Sequence, residues 1–245
     1  VCDLAAAGGN PAELADLADG ALYWAKAEGR DRSCVYTPAV MRELSAPERA
    51  ERMERARALA ALKALARAVD AKDHSTREHA ERVAGLACEL AGRLGWSPSR
   101  VALLRESALL HDVGKIGVPD AVLFTPAALT PAQRRQLELH AAIGGEISEE
   151  ALTPEQARWV RHHHERWDGT GYPDHLAGEA IPEGARILAV ADAWDAMTAA
   201  RHYGRPLSPA DAAREVRRCA GTQFWPRAAD GLLALLRSGA GVPGG

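Results

Sequence analysis

Four Ser-Pro or Thr-Pro pairs constrain this chain more than any other feature of its sequence. Ser97-Pro98, Thr130-Pro131, Thr153-Pro154 and Ser208-Pro209 each put a hydroxyl at a helix N-cap and a proline at the first helical position. There the hydroxyl accepts an orphan backbone N–H, and the N–H that proline lacks is not missed. Ser45 with Glu48 adds a capping box around Pro47, and Gly95 supplies a helix stop. Between these marks the apolar residues recur at helical spacing and alternating strand patterns are almost absent. The spacing predicts an all-α fold from about residue 46 to 240. Residues 114–129 and 167–181 stand out as long irregular stretches, which in compact domains tend to carry function.

Composition narrows the function classes. Of 245 residues 47% are hydrophobic, so a sizeable core is expected, and the formal net charge is -3 with no basic block. That argues against nucleic acid as the main partner. No apolar run approaches ~18 residues, so no membrane span is expected, and no signal peptide is visible. The cysteines at 2, 34, 88 and 219 form no CxxC pair. They fit a reducing compartment and a cytoplasmic location, with Cys88 and Cys219 as small buried residues.

The candidate chemistry is a series of histidines and carboxylates. His79 lies in a helical pattern that starts near Ser75 or Thr76. His111-Asp112 ends the apolar helix VALLRESALL, and polar groups there need hydrogen bonds or a metal. His140 follows an amphipathic turn, with Gly144-Gly145 marking close packing. His162, His163 and His164 form a run; on a helix, the last two would diverge by roughly 100° and serve opposite flanks of a cleft. Asp192 and Asp195 sit on the apolar helix RILAVADAWDAM and need partners. Imidazole and carboxylate ligands suit Fe, Mn, Zn or Ni, and a set this size is large enough for two ions. Each signal alone has a plain structural reading; their number, all at helix ends or on apolar faces, favours a metal site.

In this order His79, HDVGK, His140, HHERWDGTGYP and ADAWDAMTAARHY closely resemble the HD-GYP family, over about residues 70–226. These are bacterial metal-dependent phosphodiesterases that hydrolyse cyclic di-GMP. The resemblance implies an HD-domain-like helical bundle and a two-metal site. Its ligands would be His79, His111, Asp112, His140, His163, His164 and Asp192, with Asp112 bridging. That register leaves His162 as a surface residue. The resemblance further implies that Lys115 and Arg201 touch substrate phosphate; plain surface charge is the alternative for each. It also implies that Gly169, Gly171, Tyr172 and Pro173 form a loop that shapes the site and meets partners. Asp112 and Lys115 would be the catalytic pair, acting with a metal-bridging hydroxide to give linear pGpG, GMP or both. Glu165 and Asp195 would either orient ligand imidazoles or form structural ion pairs.

Residues 1–40 are a separate matter. ADGALYWAKAEGRDR resembles the C-terminal helix of GGDEF domains, and residues 33–37 read as a short strand. The implied organisation is a GGDEF-like remnant (1–40), a linker helix (41–70) and an HD-GYP domain (71–240). Leu14, Leu17 and Leu22 would then lack their native partner. Dimerisation through residues 47–70 and docking to a GGDEF-domain protein are the partner expectations beside a cyclic dinucleotide.

Three departures from the family pattern bear on these expectations. Ser75 stands where some members place a glutamate for a third metal. Arg201-His202-Tyr203-Gly204 replaces RPYR and lacks its second basic residue, although Arg205 follows. Gln223-Phe224-Trp225-Pro226 replaces QFDP, a change expected to alter packing rather than chemistry. The competing reading is a non-catalytic module that binds a cyclic dinucleotide or docks on a GGDEF protein. A third is an HD-type hydrolase with another substrate.

Overall fold

The structure, a computed structural model, describes residues 46–72, 77–125, 128–199 and 206–238. The GGDEF-like tail, Ser45, Ser75 and residues 201–205 lie outside the described residues. The chain divides after Glu54. Of the first unit the described part is the opening of one helix; the candidate site belongs to the second, from Arg55 on.

Helix α1 spans Ala46–Lys72, α2 Arg77–Arg93 and α3 Pro98–Leu110. A 3-10 turn, Val113–Gly117, and the one-turn α4, Asp120–Leu123, follow. Then come α5 (Pro131–Ser148), α6 (Pro154–Arg161), a second 3-10 turn (Gly178–Ala180), α7 (Glu183–Thr198), α8 (Pro209–Cys219) and α9 (Pro226–Arg237). Among the described residues there is no strand, only an isolated bridge between Ala220 and Phe224. The all-α expectation is borne out.

The caps explain why the helices start where they do. Ser97, Thr130, Thr153 and Ser208 accept from the backbone N–H of Arg100, Gln133, Gln156 and Asp211. At Thr130 and Thr153 the glutamine three residues on returns the bond, completing a capping box. Gly95 stops α2 with a φ of 91°. Its N–H reaches Gly92 O at 3.1 Å and the Trp96 N–H reaches Ala91 O at 3.0 Å, the paired bonds of a glycine C-terminal cap.

The larger core joins α2, α3, α7, α8 and α9 through Val83, Leu90, Leu104, Ile187, Leu188, Trp194, Val216 and Leu232. Helix α7 is apolar on nearly every side because it runs through this core. Trp159 is buried against Gly184, where a Cβ would come within 2.6 Å of the indole Cε2. A smaller cluster joins Ala66 of α1 to Leu110, Val113, Leu152 and Val160, with Leu59, Leu62 and Leu65 packed on it. Cys219 is buried and Cys88 half-buried, both free thiols. No helix among the described residues is long and apolar enough to cross a membrane.

Candidate metal centre

The helix ends and α7 converge their histidines and carboxylates on one place. His111 is the residue after α3 and His163 lies two past α6, while His140 sits within α5. All three rings are fixed in the same way. His111 Nδ1 lies 2.7 Å from Ala108 O, His140 Nδ1 2.7 Å from Leu137 O, and His163 Nδ1 2.6 Å from Val160 O. A carbonyl only accepts, so each Nδ1 carries the proton and donates to the residue three before it. At Ala108 and Val160 the acceptor is a last-turn carbonyl, which a helix leaves without its own partner. Each Nε2 is then a bare lone pair, and His111, His140 and His163 all present it buried and without a hydrogen-bond partner.

His79 is held differently. Its Nδ1 lies 2.6 Å from Asp195 Oδ2 on α7. Arg82 grips that carboxylate, with Nε 2.5 Å from Oδ1 and Nη2 3.1 Å from Oδ2. His79 Nε2 faces Asp192 Oδ1 at 3.5 Å and Asp112 Oδ2 at 4.0 Å.

Asp112 lies between the rings. Its Oδ1 is 3.5 Å from His140 Nε2, and its Oδ2 is 3.5 Å from His111 Nε2. A lone pair and a carboxylate oxygen repel unless something positive lies between them. Ligands of one cation with bonds of about 2.1 Å stand about 3–3.5 Å apart. The ligand atoms fall into two groups, Asp112 with His140, His163 and His164, and His79 with His111 and Asp192; within each, all lie within 4.8 Å of one another. Buried Nε2 atoms without partners, beside carboxylates, are what a divalent cation requires, so the residues fit a metal. The seven predicted ligands are thus brought together. Lys115 Nζ joins them, 2.7 Å from Asp112 Oδ2.

Protonation agrees with that donor set. Burial lowers His163 far below the usual imidazole range, helped by the neighbouring histidines His164, His111 and His140. Burial and His140 lower His164 to about 4. His140 is lowered too, chiefly by burial, against the pull of Asp112. These rings are neutral near pH 7, as ligation demands. For Asp112, burial works against the charge, but Lys115, His111, His140 and His79 outweigh it and hold the carboxyl well below its usual range. His79 goes the other way: burial works against its charge, and the bond to Asp195 with the charges of Asp192 and Asp112 raises it.

The WDGTGYP loop closes one side. Gly171 sits flat on the chain, where a Cβ would lie 2.6 Å from both Glu165 Cα and His164 O. That contact brings the Tyr172 ring within 5.0 Å of the His164 ring and 6.3 Å of His140. Pro173 follows a cis peptide. Arg161 binds Asp174 through two bonds, 2.9 and 2.7 Å, and the Asp174 N–H donates to Glu165 Oε1 at 2.8 Å. At the loop's other end the Trp167 and Asp168 N–H groups donate to Gln223 O and Thr222 O, at 3.1 and 2.8 Å. A Cβ added at Gly144 would come within 3.4 Å of Gly114 N and one at Gly145 within 2.8 Å of Arg161 Cβ, the close approach that the Gly-Gly pair predicts.

Several expectations need correction. His162 is buried, not a surface residue; its Nδ1 faces Glu165 Oε1 at 3.6 Å and Asp174 Oδ2 at 3.7 Å. It caps the end of α6 and turns inward beneath the loop. His163 and His164 lie past the helix end, so their rings do not diverge; the centroids are 4.0 Å apart and both serve the same group. Asp195 meets the imidazole of His79, a candidate ligand, whereas Glu165 holds the loop backbone. Sequence reasoning missed Arg82, although His79/Arg82 and Asp192/Asp195 share the i,i+3 spacing that puts two residues on one helix face. It also missed the hold of residues 222 and 223 on the loop. The Trp225 ring packs under Arg186, whose guanidinium lies 4.6 Å from its centre and 5.8 Å from that of Trp167.

An all-helical frame carrying a buried His/Asp cluster defines a class, and comparison with known proteins agrees with it. The HD domain family matches residues 63–227. The chain belongs to the HD-domain family. It is similar to the "Cyclic di-GMP phosphodiesterase response regulator RpfG" of Xanthomonas campestris, at 40% identity over 70% of this chain and 46% of that protein. It is also 38% identical to a "Cyclic di-GMP phosphodiesterase" of Thermotoga maritima, over 67% of this chain and 45% of the relative. The chain therefore spans about half the length of these curated relatives. Among solved structures, a cyclic GMP-AMP specific phosphodiesterase of Vibrio cholerae (V-cGAP3) shares the fold, with a TM-score of 0.56 at 20% identity over 73% of this chain and 48% of that one. These likenesses support the HD-GYP resemblance.

Proposed function

We propose that this chain is an HD-GYP phosphodiesterase that hydrolyses a 3′,3′-cyclic dinucleotide, cyclic di-GMP first among them, to linear pGpG, GMP or both. The observation that carries the reading is the set of three buried imidazoles whose Nδ1 atoms are committed to backbone carbonyls and whose Nε2 atoms meet around Asp112. The names of the relatives support the substrate class. Two divalent ions, Fe or Mn, would be held by His79, His111 and Asp192 on one side and His140, His163 and His164 on the other, with Asp112 between them.

Bound divalent ions would supply Lewis acidity at the phosphate oxygens and activation of water. The chain's own residues do the rest. The bonded Nδ1 atoms hold the rings in one tautomer and one orientation, so no reorganisation is left for the reaction. Asp112 spans the two groups with one oxygen toward each. Lys115 keeps a positive charge beside Asp112, where it meets the anionic diester. Tyr172 covers His164 and His140 and keeps water from that flank. Arg201, outside the described residues, would add a second phosphate contact. Residues 1–40 would be a GGDEF-like remnant, 41–70 a linker helix and 71–240 the HD-GYP domain. Residues 47–70 would serve dimerisation and the Gly-Tyr-Pro loop docking to a GGDEF protein. The free thiols accord with a cytoplasmic location.

The test is cyclic di-GMP turnover by the purified chain, reconstituted anaerobically with Fe(II) or Mn(II), with metal content measured on the same sample. Turnover with metal bound is the expected result. Metal without turnover of cyclic di-GMP or 3′,3′-cGAMP would point to a binding module, and absence of metal would overturn the ligand assignment.

A further inference from the structure

Helices α2 and α7 meet at a seam built in two layers. The pairs His79/Arg82 and Asp192/Asp195 each stand three residues apart, so the two layers are a helical turn apart. In the first, His79 Nε2 faces Asp192 Oδ1 at 3.5 Å. In the second, the Arg82 guanidinium meets Asp195 through both Nε and Nη2. The layers are joined at Asp195 Oδ2, which lies 2.6 Å from His79 Nδ1.

Asp195 is the element that needs explaining. Its side chain is only 7% exposed, and a buried carboxylate without a cation is strongly unfavourable. Arg82 meets that need and also fixes geometry. A planar fork bound to a planar carboxylate removes the carboxylate's freedom to rotate. With Oδ1 committed to Arg82 Nε, Oδ2 points at the His79 ring. Alone among the four rings whose Nδ1 bonds are described, His79 has no backbone carbonyl holding it, so its tautomer depends on this arrangement.

We infer that Arg82 is a positioning residue for the metal site, acting through Asp195 to fix His79 with Nδ1 protonated and Nε2 bare toward Asp112 and Asp192. Arg82 belongs to neither group of candidate metal ligands. The inference rests on the metal reading of the site, and it concerns one side of it only.

The experiment compares Arg82→Met, Arg82→Lys and Asp195→Asn with the unaltered chain, by Mn(II) titration with metal analysis and by nitrogen-15 NMR of the histidine rings in the metal-free protein at about pH 9. In the unaltered chain, His79 Nδ1 is expected protonated and Nε2 bare. Arg82→Met is expected to give a mixture of tautomers and to weaken one Mn(II) site about 10–100-fold, leaving the other unchanged. Arg82→Lys, with a charge but no fork, falls between. Unchanged tautomer and Mn(II) affinity in Arg82→Met overturn the inference. If Arg82→Met does not fold, the ring spectrum of the unaltered chain still decides: a His79 with its proton on Nε2 overturns it. If the unaltered chain binds no Mn(II), the metal reading fails, and the tautomer measurement still reports separately on Arg82.

Discussion

The two walls of the candidate centre hold their histidines by different means. At the ends of α3 and α6, and within α5, the Nδ1 atoms of His111, His163 and His140 are tied to the chain's own carbonyls. On the wall made by α2 and α7, His79 is tied to a side chain, Asp195, which is tied in turn to Arg82. The first arrangement comes with the helix and no side-chain substitution elsewhere deletes it. The second depends on two residues from different helices and is lost with either. One wall is therefore robust and the other adjustable.

The largest expected effect tests what the walls share. Asp112→Ala removes the carboxylate that faces both groups, and metal content and cyclic dinucleotide hydrolysis should both fall to background. Retention of either in a folded variant would mean that Asp112 does not join the two groups. His163→Ala comes next: it strips one group only, so metal analysis should show about half the metal lost, with the remainder on His79, His111 and Asp192. Total loss would make the centre one cooperative site rather than two groups.

The walls should also titrate in opposite directions. Burial lowers His163 and His164, the latter to about 4, whereas the carboxylates around His79 raise it despite burial. In the metal-free chain, His79 should be the first of these to take up a proton as pH falls, followed by NMR. A raised histidine pKa contributes stability below about 6.5 that disappears as pH rises through the folded value. A lowered one contributes stability above about 6.5 that disappears as pH falls toward 4. The melting temperature of the metal-free chain should therefore decline on acidification toward pH 4 with His79 opposing. The decline should be steeper in Asp195→Asn, where His79 loses the partner that raises it.

Smaller effects lie in the loop. Gly171→Ala forces a Cβ against Glu165 Cα and His164 O, which should cost about 1–3 kcal/mol in thermal denaturation. It should also disturb the wall containing His164 more than that containing His79. Trp225→Ala removes the ring beneath Arg186 and should cost about 0.5–1 kcal/mol, with metal affinity unchanged.

The sequence made the capped helices legible because a hydroxyl followed by proline is a local signal, read without knowing what packs on it. The seven candidate ligands were legible by type and order. What brings them together was not: the tethers at Ala108, Leu137 and Val160 are backbone atoms, which every residue carries. His162 escaped because the register that selects His163 and His164 says nothing of which way the chain turns after α6. Arg82 escaped because its partner lies 113 residues away, and nothing local marks a guanidinium that grips a carboxylate across two helices.

The bonds from Trp167 and Asp168 to residues 222 and 223 also bear on the order in which the molecule is made. A chain emerges from the ribosome N-terminus first. Every candidate ligand, from His79 to Asp192, is synthesised before Gln223, yet the loop that carries Tyr172 is fastened only when Thr222 and Gln223 arrive. A nascent chain arrested before Thr222 would thus hold the full set of candidate metal-binding residues with that end of its loop unfastened. The last fifty residues add no ligand of the proposed centre, yet two of them, Thr222 and Gln223, fasten one end of its loop.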